Sequence, residues 1–282
     1  MEAMQTITGK RTRKAAPWIV MALCLFLVNG LVGHAEFTPV FAQATEKNVI
    51  RDGKVSIDVS NAGDGYVMIR HSGSSKRLKL RIYYGDAYQT YDINNKGDYE
   101  AFPLIKGSGT YKVVMFENVK NSEYTQLCAK SFKADLKDEK AAFLAPNQNA
   151  WYTSSSATVA KSFELTSGMR DEWERLETIY NYVSKNIMYD YMKALSVRNP
   201  YYPDVDATLA SRMGICFDYA AVLACMLRVQ GIPTQLVVGD LIPQNQRHAW
   251  NKVYIGGTWL PMDATFPNGT YKQSDYSDLF YY

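Results

Sequence analysis

The chain has 282 residues, 47% of them hydrophobic and 21% charged, with a formal net charge of +3. That balance excludes wholesale disorder and fits about two ordinary domains. Without the four basic and two acidic residues of 1–44, 27 basic and 26 acidic remain, which leaves no electrostatic footprint for nucleic acid or an anionic membrane surface. Four cysteines are too few for a disulfide scaffold of this size.

The N-terminus reads as an export signal. Lys10-Arg-Thr-Arg-Lys14 is a basic cluster, and residues 17–32 are an almost unbroken apolar run. Ala42-Gln43-Ala44 offers small residues at signal-peptidase spacing, and Gly33-His34-Ala35 is a second such site. The run is short for a membrane span, with an uncleaved anchor as the alternative reading, and no later stretch is long and apolar enough to make one. The expected mature chain begins near Thr45 and is secreted or held at the cell surface.

From residue 54 to about 136 the pattern is that of strands. Val55-Ser-Ile-Asp-Val59 alternates, and Tyr66–Arg70, Lys79–Tyr83, Tyr111–Met115 and Tyr124–Cys128 continue it between Gly- and Asn-rich turns. About seven short strands at this spacing predict a small all-β sandwich over 45–136. This half shows no catalytic grouping, and His71, beside a Gly-Ser turn, reads as an exposed loop histidine. Residues 137–152 have no periodicity and read as a linker to a second domain over 153–282.

There the period changes. Trp173, Leu176, Ile179, Tyr180 and Val183 recur at three and four, predicting an amphipathic helix over about 170–186 with Asp171, Glu172 and Glu174 in its first turn. Residues 191–203 read as a loop, and Asp206 as the cap of a short helix through Arg212. Residues 219–229 are apolar almost all round, as in a helix buried on most sides, and Gly231-Ile-Pro233 ends it. Strand-like runs follow at 234–241, 248–255 and 258–266, the last two joined by the hairpin turn Gly256-Gly257. The tyrosine-rich stretch 271–282 reads as a docked C-terminal segment.

Three residues carry the chemistry. Cys216 falls at or just before the first turn of the buried helix. Free backbone N–H groups and the positive end of the dipole there favour a thiolate, and could hold an oxyanion. If Ile255 pairs with Thr258, His248 and Asp263 share one face of the hairpin as diagonal neighbours, about 7 Å apart at Cβ. An imidazole so oriented by a carboxylate leaves its other nitrogen for a thiol. His248 is the only histidine after His71, so a base for Cys216 in this half has one candidate. No Cys-x-x-Cys or His-x-x-x-His spacing suggests a metal, no Gly-x-Ser-x-Gly elbow is present, and no cofactor is implied. The bland alternatives are a buried inert cysteine, a structural histidine and a turn carboxylate. Cys225, half a turn from Cys216, reads as core, and Asp218 as a first-turn acid.

Four blocks, Gly214-Ile-Cys216-Phe-Asp-Tyr-Ala220, Arg228-Val-Gln-Gly231-Ile-Pro233, His248-Ala-Trp-Asn251 and Trp259-Leu-Pro-Met-Asp263-Ala-Thr265, resemble the transglutaminase-like superfamily of papain-type cysteine enzymes. The resemblance spans about a third of the chain. It implies an α+β papain-like core with the cysteine helix packed on an antiparallel sheet. It also implies Cys216 as nucleophile, His248 as base and Asp263 as orienting acid. Two family features are absent: a tryptophan between Trp173 and Cys216 that would assist the oxyanion, for which Tyr201 or Tyr202 would stand in, and an acidic calcium loop. The expected activity is therefore thiol-dependent acyl transfer from protein or peptide amides, more hydrolytic than cross-linking, with protein-glutamine transglutamination as the alternative. A non-catalytic surface binding or adhesion module is the rival of another class.

Overall fold

The chain from residue 54 alternates because successive side chains of a strand point to opposite faces, and one face of these strands is buried between two sheets. A computed structural model describes residues 37–266 and 271–282. In the N-terminal half it shows eight strands: β1 (Val49–Asp52), β2 (Val55–Asp58), β3 (Tyr66–His71), β4 (Leu78–Tyr84), β5 (Ala87–Ile93), β6 (Glu100–Pro103), β7 (Gly109–Lys120) and β8 (Glu123–Ala134). They form two antiparallel four-stranded sheets, ordered β1-β2-β3-β6 and β5-β4-β7-β8. Val55, Ile57, Val67 and Ile69 of the first meet Leu78, Leu80, Val113 and Met115 of the second in one buried cluster. Period-two alternation sends Tyr66 and Met68 of β3 to the opposite face, where they bury with Ala101 and Ala145.

That second face has an unexpected cover. Val40, Ala42 and Ala44 pack against it, Phe41 meets Tyr152 edge-on at 6.2 Å, and Asn61 donates to the carbonyl of Gln43 at 2.7 Å. The expected leader boundary at 44/45 thus falls inside a packed segment; residues 1–36 of that leader lie outside the described residues. His71 also departs from expectation. It ends β3 and is only 4% exposed, and burial lowers its pKa.

The second half holds α1 (Ala157–Leu165), α2 (Glu172–Asn186), β9 (Met188–Tyr189), α3 (Tyr191–Ser196), α4 (Val205–Ser211), β10 (Met213–Gly214) and α5 (Cys216–Arg228). β11 (Thr234–Leu241), β12 (Gln246–Ile255), β13 (Thr258–Met262) and β14 (Tyr276–Tyr281) follow, as an antiparallel sheet ordered β13-β12-β11-β14. The run from Ala220 to Leu227 is buried throughout because α5 lies at the centre, with the stripe Leu176, Ile179 and Val183 of α2 on one side and Leu236 and Val253 of the sheet on another. Trp173, expected in that stripe, is half exposed beside Gly256. Asp171 caps α2 by accepting from Glu174 N–H at 2.9 Å. The cap of α4 is Asp204 rather than Asp206, whose carboxylate instead takes the N–H of Thr158 in the first turn of α1 at 2.8 Å.

Residues 137–152, read as a linker, are in large part interior. Ala142, Phe143, Ala145, Asn147 and Ala150 are buried, and residues 38–282 form one compact unit. Arg228 explains how a segment without periodicity is held. Fully buried at the end of α5, it donates to the carbonyls of Thr234 at 2.8 and 2.9 Å, Ala145 at 2.9 Å and Tyr282 at 2.8 Å.

Candidate active site

The hairpin register is the expected one: Ile255 pairs with Thr258 and Asn251 with Met262, where the ladder ends. Gly256 and Gly257 take φ of +59° and +83°, as a two-residue primed turn requires. One residue beyond the ladder, Asp263 reaches back so that its Oδ2 lies 2.8 Å from His248 Nε2. Both side chains are buried, at 7% and 8% exposure.

Asp263 is itself held on every side. Its Oδ1 accepts from the N–H groups of Thr265 and Phe266, at 2.9 and 3.3 Å, and its carbonyl accepts from Tyr180 Oη at 2.9 Å. Its Oδ2 takes a second hydrogen bond, from Tyr276 Oη at 2.9 Å. Tyr276 was not legible as a site residue. It arrives on β14, which reaches the site by pairing with β11, and no local pattern announces that pairing. Gly239 on β11 makes it possible, since a Cβ there would lie 2.0 Å from the Ser277 carbonyl and 2.6 Å from the Trp250 ring.

Cys216 stands at the first position of α5 and is partly exposed. Asp218 and Tyr219 donate their N–H groups to the Ile215 carbonyl at 2.9 and 3.1 Å, which leaves those of Cys216 and Phe217 beyond any intrahelical acceptor. Cys216 lies close enough to the His248 ring to influence its charge, and because Nε2 faces Asp263, Nδ1 is the ring nitrogen left for the sulfur. Burial opposes a charge on the ring. The hydrogen bonds and charges of Asp263 and Cys216 outweigh it and raise the His248 pKa to about 9. Asn251, fully buried, fixes the distance between helix and hairpin by donating to the Ala220 carbonyl at 3.0 Å and the Gln235 carbonyl at 3.2 Å.

Asp218 does more than complement a dipole. Fully buried, it accepts from the Ile215 N–H at 2.8 Å, from Lys193 Nζ at 2.7 Å and from Tyr201 Oη. The absent side chain of Gly214 gives Asp218 its room, since a Cβ there would be 2.7 Å from the Asp218 Cβ. Lys193 and Tyr201 thereby fasten the segment 191–203 beside Cys216. Tyr202, the other candidate for oxyanion support, turns its hydroxyl to the Asp92 carbonyl at 3.0 Å.

Cys216 and His248 open onto a cleft of about 780 Å³. One wall is the sandwich, through Arg77, Lys79 and Asp92; another is the segment around Tyr201 and Tyr202. Cys225 is fully buried, and Cys128, Cys216 and Cys225 are free thiols. Among the described residues no group of His, Cys, Asp and Glu is arranged to hold a metal ion, and no helix is long and apolar enough to cross a membrane.

Residues 159–264 match the model of the transglutaminase-like superfamily core, so the chain carries such a core over that segment. No curated protein matches the sequence. Among solved structures, a proposed cysteine protease from Cytophaga hutchinsonii is similar at 16% identity over 77% of this chain and 79% of its own, with a TM-score of 0.44. Legionella pneumophila LapG is similar at 15% identity over 46% of this chain and 78% of its own, with a TM-score of 0.37. Red sea bream transglutaminase is similar at 12% identity over 78% of this chain and 49% of its own, with a TM-score of 0.32.

Proposed function

We propose that the protein is a secreted thiol enzyme that acts on protein or peptide amides, hydrolysing them in preference to cross-linking them. The observation that carries this reading is that Cys216 and His248 line one open cleft, with Asp263 2.8 Å behind the imidazole at Nε2. In it, Cys216 is the nucleophile, His248 the proton carrier and Asp263 the orienting acid.

The cysteine sulfur attacks the amide carbonyl, and its new bond to carbon pushes the π electrons onto oxygen. The N–H groups of Cys216 and Phe217, which have no acceptor within the helix, would receive that charge. His248, protonated at neutral pH, hands its proton to the nitrogen as the C–N bond breaks, leaving a thioester and a free amine. Water then adds to the thioester, His248 takes its proton, and the sulfur departs as the acid is released. A primary amine in place of water would give transfer. The cleft is open to solvent, which supports hydrolysis as the main outcome.

Export is proposed from the basic cluster and apolar run of the leader. The packing of Val40, Ala42 and Ala44 on the sandwich favours cleavage after Ala35 over cleavage after Ala44.

Iodoacetamide labelling near neutral pH, read by mass spectrometry, tests the site: rapid labelling of Cys216 that is lost in His248→Ala is expected. Equal, slow labelling in both would leave only a binding scaffold. A glutamine-containing protein with a labelled amine then separates the outcomes. New termini or released ammonia mean hydrolysis; stable incorporation of label means transfer.

A further inference from the structure

A second pocket of about 250 Å³ adjoins the cleft and shares Gln148 and Tyr202 with it. Its remaining walls are Tyr99, Glu100, Ala101 and Trp151. Two features of this pocket have no part in the chemistry at Cys216. The first is a carboxylate without a counter-charge. Glu100, on β6, accepts from the Asn94 N–H at 2.6 Å and from Gln148 Nε2 at 2.5 Å, both neutral donors. Among the described residues no lysine or arginine pairs with it. Arg77 is held by Asp92 at 2.7 Å, and Arg70 lies 3.6 Å from Glu46 while stacking over Tyr99. Burial raises the Glu100 pKa, as expected of a carboxylate that lacks a cation.

The second feature is a pair of large rings kept at the rim. Trp151 is 39% and Tyr202 40% exposed, although each is fixed in place. Trp151 is bridged through its backbone to Asp204, and Tyr202 is anchored on the Asp92 carbonyl. Aromatic faces beside a half-buried carboxylate attract a cation twice over, through the ring quadrupoles and through the charge. The volume suits one side chain rather than a drug-sized ligand.

We infer that this pocket is a subsite for a basic side chain of the peptide substrate, its ammonium or guanidinium group meeting Glu100 between Trp151 and Tyr202. The assignment of the cation to a substrate residue rests on the amide-cleaving reading of Cys216, but the binding itself does not.

The test therefore begins with binding. Full-length Cys216→Ala protein is titrated with Nα-acetyl-lysine methylamide and with its neutral counterpart, Nα-acetyl-norleucine methylamide, following the Trp151 indole N–H signal by NMR. Saturable shifts with the lysine probe, at least about tenfold tighter than with the norleucine probe, are expected. Glu100→Gln should bring the lysine probe to the norleucine level and leave the latter unchanged. Should that variant fail to fold, salt serves instead: added NaCl should weaken the lysine probe and not the norleucine probe. Equal affinity for both probes, or discrimination that survives Glu100→Gln, would overturn the inference. Discrimination by a protein that cleaves no peptide would keep the cation subsite and discard the amide-cleaving reading. Cleavage with no preference for basic residues would keep that reading and discard the subsite.

Discussion

Asp263 Oδ2 receives two hydrogen bonds, from His248 Nε2 and from Tyr276 Oη, and the sharing sets how tightly the ring keeps its proton. Each donor draws on the same negative charge, so the tyrosine weakens the hold of the carboxylate on the imidazolium. The His248 pKa nevertheless stands at about 9, above the ordinary 6.5. A group whose pKa rises on folding stabilises the fold fully below its unfolded value, and that contribution is lost as pH climbs through the folded value. The stability difference between wild type and His248→Gln should thus be greatest below about pH 6.5 and shrink as pH passes 9, as read by thermal unfolding. Tyr276→Phe gives Asp263 Oδ2 wholly to the ring. An NMR titration of the His248 ring should then show a midpoint above the wild-type one. A midpoint that stays put would reduce Tyr276 to a packing residue against Trp250, whose ring centre is 4.8 Å away.

At the scale of elements, the start of α5 is tied to its surroundings by a single acid. Asp218 takes the Ile215 N–H as a helix cap does, and pairs with Lys193 at the same time. Lys193 is 30% exposed and can regain water, so the loss of its partner costs less than breaking a fully buried pair. Asp218→Ala should therefore cost about 1–3 kcal/mol in urea unfolding, the sum of a lost cap and a half-buried ion pair. Its sharper effect is local: with Lys193 and Tyr201 released, protease cleavage between residues 191 and 203 should quicken well before global unfolding. Of these connections the sequence shows some and hides others. The hairpin was legible because Gly256-Gly257 permits one turn and one register, and that register puts His248 and Asp263 on one face. The buried helix was legible because no polar residue interrupts 219–227. The start of α4 was misjudged by two residues, as Asp204 and Asp206 are equally good caps in sequence and only the approach of Thr158 separates them. Tyr276 and Asp218 stayed hidden because their partners are brought by non-local pairing, which leaves no periodic trace.

At the scale of the whole molecule, the sandwich and the cysteine-bearing core behave as one body. Tyr282 packs against both cores, its ring 6.1 Å from that of Tyr91, and Gln89 donates to the Tyr281 carbonyl at 3.1 Å. The guanidinium of Arg228 joins carbonyls from three separate segments, those at 145, 234 and 282. Burying that cation is costly in itself, and burial accordingly lowers its pKa. Its removal takes the side-chain donor from the carbonyls of Ala145 and Thr234, each worth about 1–3 kcal/mol, while Tyr282 keeps the Leu236 N–H and the relief of the cation's own desolvation returns part of the loss. Arg228→Met should lower stability by about 2–4 kcal/mol. Arg228→Lys should recover only a fraction, since one ammonium cannot span three carbonyls set around a planar fork. The wild type should unfold in one transition by both near-UV and far-UV signals, and Arg228→Met should move the whole transition. Halves that held together only through a tether would instead give two transitions, with the variant shifting that of the cysteine-bearing core and leaving the sandwich where it was.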